Sequence, residues 1–244
     1  MIKILGINLY LKVVSRIYFQ LYRFHILWLF GKTFQEINYL QSTVKKGWHC
    51  IDIGANLGYV TIPLSNLCGS EGKVIAVEPV KAFADLLKNH VKNYGKDNVE
   101  ILNYALGKSD NEKIIMGTPV IHGIQRHGFT KVVESSNEFP YGNTYEVQMR
   151  NPMSLFEDIK QLNFIKCDVE GYELFIIPEM KDLINKFKPM ILIEFGTTES
   201  RITLSKFFNE IGYTAYYVDG KDLKPIRYES LITFSTNNFI LLPE

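Results

Sequence analysis

The chain has 244 residues, 46% of them hydrophobic and 22% charged, with 17 Gly and 9 Pro; this is ordinary globular composition for one large or two small domains and excludes collagen-like, disordered and disulfide-framework classes. Charge is nearly balanced, with 27 Lys+Arg against 26 Asp+Glu, and without a basic excess no nucleic-acid partner is expected. Cys50, Cys68 and Cys167 show no CxxC spacing and read as buried reduced thiols of a cytoplasmic protein.

The balance hides an asymmetry. Residues 1–35 contain Lys3, Lys12, Arg16, Arg23 and Lys32 and no acid, so they carry +5 and the remainder −4. Of residues 1–30, 21 are apolar or aromatic, yet the longest stretches without Lys, Arg, Asp or Glu are 8 residues. A membrane span needs roughly 18 apolar residues, and no small-residue cleavage site follows to mark a signal peptide. On a helix, Asn8, Lys12, Arg16, Gln20 and Arg23 fall within an arc of about 120°. Two readings are open: a helix lying in an anionic interface on the inner membrane face, or one packed on the domain or on the second subunit of a homodimer. A second amphipathic segment follows, with Thr33 as cap, Glu36 in its first turn and Phe34, Ile37, Leu40 and Val44 on one side, ended by Gly47. Residues 1–46 are read as an amphipathic helical segment and 47–244 as the main domain.

From Trp48 the pattern alternates. Strands are expected at Cys50–Ile53, Lys73–Val77, Asn98–Leu102, Phe164–Cys167, Met190–Glu194, Tyr213–Val218 and Asn238–Leu242, with helices at Tyr59–Leu67, Val80–Tyr94, Tyr172–Phe187 and Leu204–Ile211. Residues 107–150 break the alternation with Gly, Pro, His and Asn around two strand-like runs, and read as an insertion with a hairpin that supplies substrate loops. Alternation of this kind implies an α/β, doubly wound, mainly parallel sheet. Its ligand is expected beyond the carboxyl ends of the strands.

Asp52-Ile-Gly54-Ala55-Asn56-Leu-Gly58 follows the first strand, and its GxxxG spacing permits a tight turn and close backbone approach. Glu78-Pro79 ends the second strand, 26 residues after Asp52, where an acid can accept from both hydroxyls of an adenosine ribose. Asn103-Tyr-Ala105-Leu106-Gly107 ends the third and is placed to flank an adenine ring.

The stretches CIDIGANLGYVT (50–61), VIAVEPV (74–80), NYALG (103–107), FIKCDVEGYE (164–173) and PMILIEFG (189–196) together resemble the FkbM-type family of S-adenosylmethionine-dependent methyltransferases. The resemblance implies a Rossmann-like class I methyltransferase fold with an antiparallel last strand, S-adenosyl-L-methionine as cofactor, and methylation of a hydroxyl on a sugar, glycan or natural product. It implies that Gly54, Ala55, Asn56, Gly58, Glu78, Pro79, Ala105 and Leu106 line the cofactor site, completed by Asp52 and Asp168. Many family members carry Thr-Leu-Asp after the hairpin region. This chain has Ser154-Leu155-Phe156 there, so no role of that Asp transfers.

Methyl transfer to a hydroxyl oxygen calls for in-line positioning and a general base. Strand period places Lys166 and Asp168 on one side; Glu170 continues that direction and Glu194 ends the next strand, making Asp168, Glu170 and Glu194 the candidate catalytic carboxylates. The same carboxylates could instead bind the amino acid end of the sulfonium or hold a divalent ion; His122 and His127 are alternative bases, and with no matching His or Cys cluster no transition metal is expected and no metal ligand is assigned. The rivals are an NAD-dependent oxidoreductase, which needs GxGxxG where Asn56 replaces the second glycine, and a catalytically inactive membrane-associated binding module of the same fold. The basic helix adds a lipid-linked saccharide to the expected acceptors.

Overall fold

The structure is a computed structural model and describes residues 2–24, 35–133, 140–220 and 222–244. Two helices come first, α1 (Ile2–Arg23) and α2 (Gln35–Thr43); Thr33 and Phe34, assigned to the start of the second, lie outside the described residues. The core then runs β1 (His49–Ile53), α3 (Thr61–Cys68), β2 (Lys73–Val77), α4 (Lys81–Tyr94) and β3 (Val99–Leu102). Next come β4 (Ala105–Leu106), β5 (Lys113–Ile121), β6 (Ile124–Gln125), β7 (Lys131–Val132), β8 (Tyr141–Arg150) and the short helix α5 (Pro152–Phe156). The chain closes with β9 (Phe164–Cys167), α6 (Glu173–Ile176), α7 (Lys181–Phe187), β10 (Met190–Glu194), α8 (Thr198–Glu210), β11 (Tyr213–Asp219), β12 (Asp222–Ile226), α9 (Tyr228–Leu231) and β13 (Asn238–Pro243).

The main sheet has the order β12-β11-β13-β10-β9-β1-β2-β3. β3, β2, β1, β9 and β10 are mutually parallel, while β13 is antiparallel to both β10 and β11. β1, β2, β9 and β10 are covered on both faces and read as nearly unbroken apolar runs, whereas the edge strand β3 is only partly buried. One core cluster joins Ile51, Ile165, Ile191 and Phe239 to Met180 and Phe208; another joins Leu40 of α2, Leu64 of α3, Phe164 and Leu192. All three cysteines are buried and free.

The structure departs from the expected elements chiefly in three places, the first being α8, which starts at Thr198 rather than at Leu204. The helix expected over Tyr172–Phe187 is broken at Pro178, which opens a 3-10 turn between α6 and α7; proline lacks the N–H of a continuing helix and clashes with the preceding turn. The edge strand β12 was not foreseen, because Asp-Leu-Lys-Pro-Ile is polar and holds a proline that only an edge tolerates. The insertion forms its hairpin: β5 and β8 pair antiparallel with a register shift at Thr118/Pro119, and β4 joins β8 as a second sheet. That sheet packs through Met116 and Val147 against Phe83 and Leu86 of α4 and Leu11 of α1. The chain order reverses at β1 and β9, where their carboxyl ends open a crevice.

Candidate active site

The turn after β1 places its backbone against the end of β9. Gly54 has φ +77°, and a Cβ there would run into the Asp168 carbonyl, so no other residue fits without moving the chain. Gly58 has a different role: its Cβ would lie 2.7 Å from a methyl of Leu87, so this glycine lets the turn pack on α4. Asn103 donates to the carbonyls of Glu78 and Pro79, both at 2.8 Å, and holds the loop after β2.

A cavity of about 270 Å³ lies over this turn, lined by Gly54, Ala55, Asn56, Glu78, Pro79 and Asp168 among others, with Phe83 of α4 and Met116, His127 and Thr130 of the insertion closing it. Asp52, Gly58, Ala105 and Leu106 are outside its wall. Asp52 is fully buried behind the turn, accepting from Thr61 Oγ1 at 2.6 Å, and Ala105 and Leu106 are buried and pair with Met149 and Arg150. His127 meets Phe83 edge-on at 6.1 Å between centroids, and burial pushes its imidazole below its usual pKa. His122 sits exposed in a turn, and His90 is buried in α4 against Leu57.

The Glu78 carboxylate accepts from the backbone N–H of Asn56 (2.8 Å) and of Val80 (2.9 Å). Burial pushes its pKa up to about 7 against the pull of those two donors. A carboxylate offers about four acceptor sites, so hydroxyls entering the cavity can still find partners on it. The Asn56 side-chain oxygen is buried with no hydrogen-bond partner, which also fits a polar ligand.

Lys166 is central to the site and received no role from the sequence. The parallel register sets it beside Asp52 on β1 and Leu192 on β10. Its ammonium donates to the Gly54 carbonyl at 2.9 Å and lies 3.3 Å from Asp168 and 3.7 Å from Asp52. Burial works against its charge, but the flanking carboxylates Asp168 and Asp52 outweigh burial and raise its pKa. The only sequence signal was a lysine two residues before an acid in an apolar strand.

Asp168, Glu170 and Glu194 converge: one oxygen from each lies within 4.8 Å of the others. Burial acts to raise the Asp168 carboxyl, yet the Lys166 ammonium and a hydrogen bond from Glu194 hold it below its usual pKa. Glu194 and Glu170 are each pushed up to about 8, first by burial and then by their acidic neighbours. The Lys166 ammonium offsets part of the negative charge of this group, whose three oxygens are close enough together to share a cation or a proton. Glu173 holds the loop that carries them: Oε1 accepts from the N–H of Val169 (2.9 Å) and Gly171 (3.3 Å), while Glu170 takes a left-handed φ of 56°. On the other side, the buried guanidinium of Arg201 donates to the carbonyls of Phe195, Leu231, Phe234 and Thr236 and to the Asn237 side chain, fixing the segment whose Asn237 amide reaches Glu194 at 3.5 Å.

A second cavity, about 360 Å³, adjoins the first and shares Tyr59, Val60, Lys166 and Asp168 with it. Its other walls are Val14 and Tyr18 of α1, Glu36 and Ile37 of α2, Leu192 and Glu194 of β10 and Asn238 of β13. A further cavity of about 360 Å³, lined by His49, Lys73, Glu100 and Asp158 among others, lies between β1, β2, β3 and the segment around α5 and contains none of these groups.

The strand order, the glycine turn and the acid after β2 define a class I S-adenosylmethionine-dependent methyltransferase. The sequence profile of the FkbM methyltransferase domain matches residues 52–219; the chain belongs to that family, and its cofactor is S-adenosylmethionine. A solved FkbM methyltransferase from Methylobacillus flagellatus KT is similar, with 15% identity and a TM-score of 0.53 over 80% of this chain and 43% of that one. An S-adenosylmethionine-dependent O-methyltransferase from Thermotoga maritima shows 16% identity and a TM-score of 0.50 over 87% of this chain and 65% of that one. At such identities the likeness shows the fold. Protein-L-isoaspartate O-methyltransferase of Caenorhabditis elegans is 22% identical over 77 residues, 32% of this chain and 34% of that relative, so the match spans about a third of the curated relative's length.

Proposed function

We propose that the chain transfers a methyl group from S-adenosylmethionine to a hydroxyl oxygen of a neutral, hydroxyl-rich acceptor: a sugar, glycan or natural product, lipid-linked saccharides included. One observation carries this reading: two cavities meet at Lys166 and Asp168, with Glu194 in the wall of the second and Glu170, which lines neither, within reach of both carboxylates. In the first cavity Glu78 and Asn56 would hold the cofactor, Glu78 through its ribose hydroxyls. The cofactor supplies an electrophilic methyl on a sulfonium whose leaving group is neutral, so the protein's task is to aim and deprotonate the acceptor.

Asp168, kept ionised by Lys166, accepts the hydrogen bond of the attacking hydroxyl and orients it. The proton passes through Asp168 to Glu194, which is hydrogen-bonded to it, or to Glu170 beside them; with pKa values near 8 both are matched to hold it as the C–O bond forms, since a base works best when its pKa lies near the working pH. A base must be deprotonated to act, so turnover should rise with pH up to about 8 and level off above it. The acid-rich second cavity suits hydroxyl donors and disfavours phosphates and carboxylates.

The test is transfer of radiolabel from the methyl group of S-adenosylmethionine to neutral saccharides. Label in an alkali-stable ether supports the reading. Label only in alkali-labile esters or on amines contradicts it.

A further inference from the structure

Helix α1 presents three faces. Leu11, Ser15 and Phe19, four residues apart, are fully buried. Ser15 Oγ lies 3.0 Å from His90 Nε2, and the Phe19 ring stacks on Tyr59 and Tyr94. Val14 and Tyr18 form an edge that lines the second cavity. The remaining face carries exposed Lys12, Arg16, Gln20 and Arg23, interleaved with Leu9, Ile17 and Phe24, which are 47%, 56% and 68% exposed. Eight large apolar side chains are exposed among the described residues, and three of them fall on this one face.

We propose that this face of α1 docks peripherally on an anionic lipid surface. Packing on the domain accounts for the Leu11–Ser15–Phe19 face and, among the described residues, leaves the basic, apolar one uncovered. No acid occurs in residues 1–35, and no salt bridge to Lys12, Arg16 or Arg23 is formed among the described residues. A second copy meeting this face through the same face would set cation against cation. Nucleic acid would use the cations and leave Leu9, Ile17 and Phe24 in water. A lipid surface uses both sets, the cations at the headgroups and the apolar side chains at the acyl boundary. No described helix is long and apolar enough to cross a membrane, so α1 lies on the surface. The same helix walls the second cavity, so docking brings that cavity to the lipid surface.

Co-sedimentation tests this without any acceptor and so stands apart from the methyl-transfer reading. The wild-type chain should sediment with phosphatidylcholine vesicles containing phosphatidylglycerol, stay in solution with pure phosphatidylcholine, and release as salt rises. With each basic residue near an anionic surface worth roughly fivefold in partition, Arg16→Glu/Arg23→Glu should weaken binding about 25-fold or more. Ile17→Asp/Phe24→Asp should weaken it independently. None of these four side chains lines either cavity, so retention of the melting shift with S-adenosylmethionine certifies that the variants fold. Charge-reversed protein sedimenting like wild type would overturn the proposal. So would wild-type protein that ignores anionic vesicles, whether it runs as a monomer or as a dimer by light scattering; that result stands even if a variant fails to fold.

Discussion

The cavity beside Glu78 and the cavity beside Glu194 share one wall and are made in different ways. The first is built mainly from turns that directly follow strands, where backbone lies against backbone and few residue types are allowed. The second is assembled from α1, α2, β10 and β13, whose side chains meet only when the whole chain has packed. A local turn leaves its signature in a few consecutive residues, whereas a wall of distant side chains leaves none. On the proposed reading, the first cavity holds the cofactor and the second the acceptor.

The largest effect should come from forcing a side chain into the first cavity. Gly54→Ala adds a methyl at φ +77° against the Asp168 carbonyl; left-handed strain alone costs roughly 1–2 kcal/mol. The variant should melt several degrees lower and show no shift with S-adenosylmethionine. Asp168→Asn acts at the shared wall: turnover should fall roughly 10²- to 10⁴-fold, with a smaller loss of cofactor affinity measured by calorimetry. Equal losses in both would reassign Asp168 to the cofactor.

A smaller effect concerns Glu78 and has a defined sign. Its pKa is about 7 in the unliganded chain, and hydroxyl donors from a ribose favour the carboxylate and would lower it. Cofactor binding should therefore release a proton and weaken as pH falls through 7, by up to tenfold per pH unit. Glu78→Gln should bind more weakly at pH 8 and lose this dependence. The smallest effect sharpens the contrast between the cavities: Ile37→Trp fills the second one from α2, and cofactor affinity should stay within about twofold while transfer to the acceptor drops.

What could be read in advance follows the same division. Lys73–Val77, Phe164–Cys167 and Met190–Glu194 match the observed strands end to end, because strands buried on both faces read as short apolar runs between turns. The carboxylates at their ends followed from the topology. Lys166 was not legible as a site residue, since its partnership with Asp52 exists only in the register between β1 and β9. Met116, His127 and Thr130 reach the first cavity through a hairpin whose fold over α4 is set by packing at Met116, Val147 and Phe83. The two readings of α1 were likewise inseparable by periodicity, which gives the faces of a helix and not what covers them.

The central claim is that the first cavity binds S-adenosylmethionine through Glu78. The direct measurement is the melting shift of wild type and Glu78→Gln with S-adenosylmethionine, S-adenosylhomocysteine and NADH. At 100 times the Kd a ligand adds about 2.7 kcal/mol, or roughly 5–11 °C for a chain of this size. The account predicts that shift for wild type with the two adenosyl-sulfur ligands alone, and a smaller one for Glu78→Gln. A shift with NADH alone, or equal shifts in the two proteins, would contradict it.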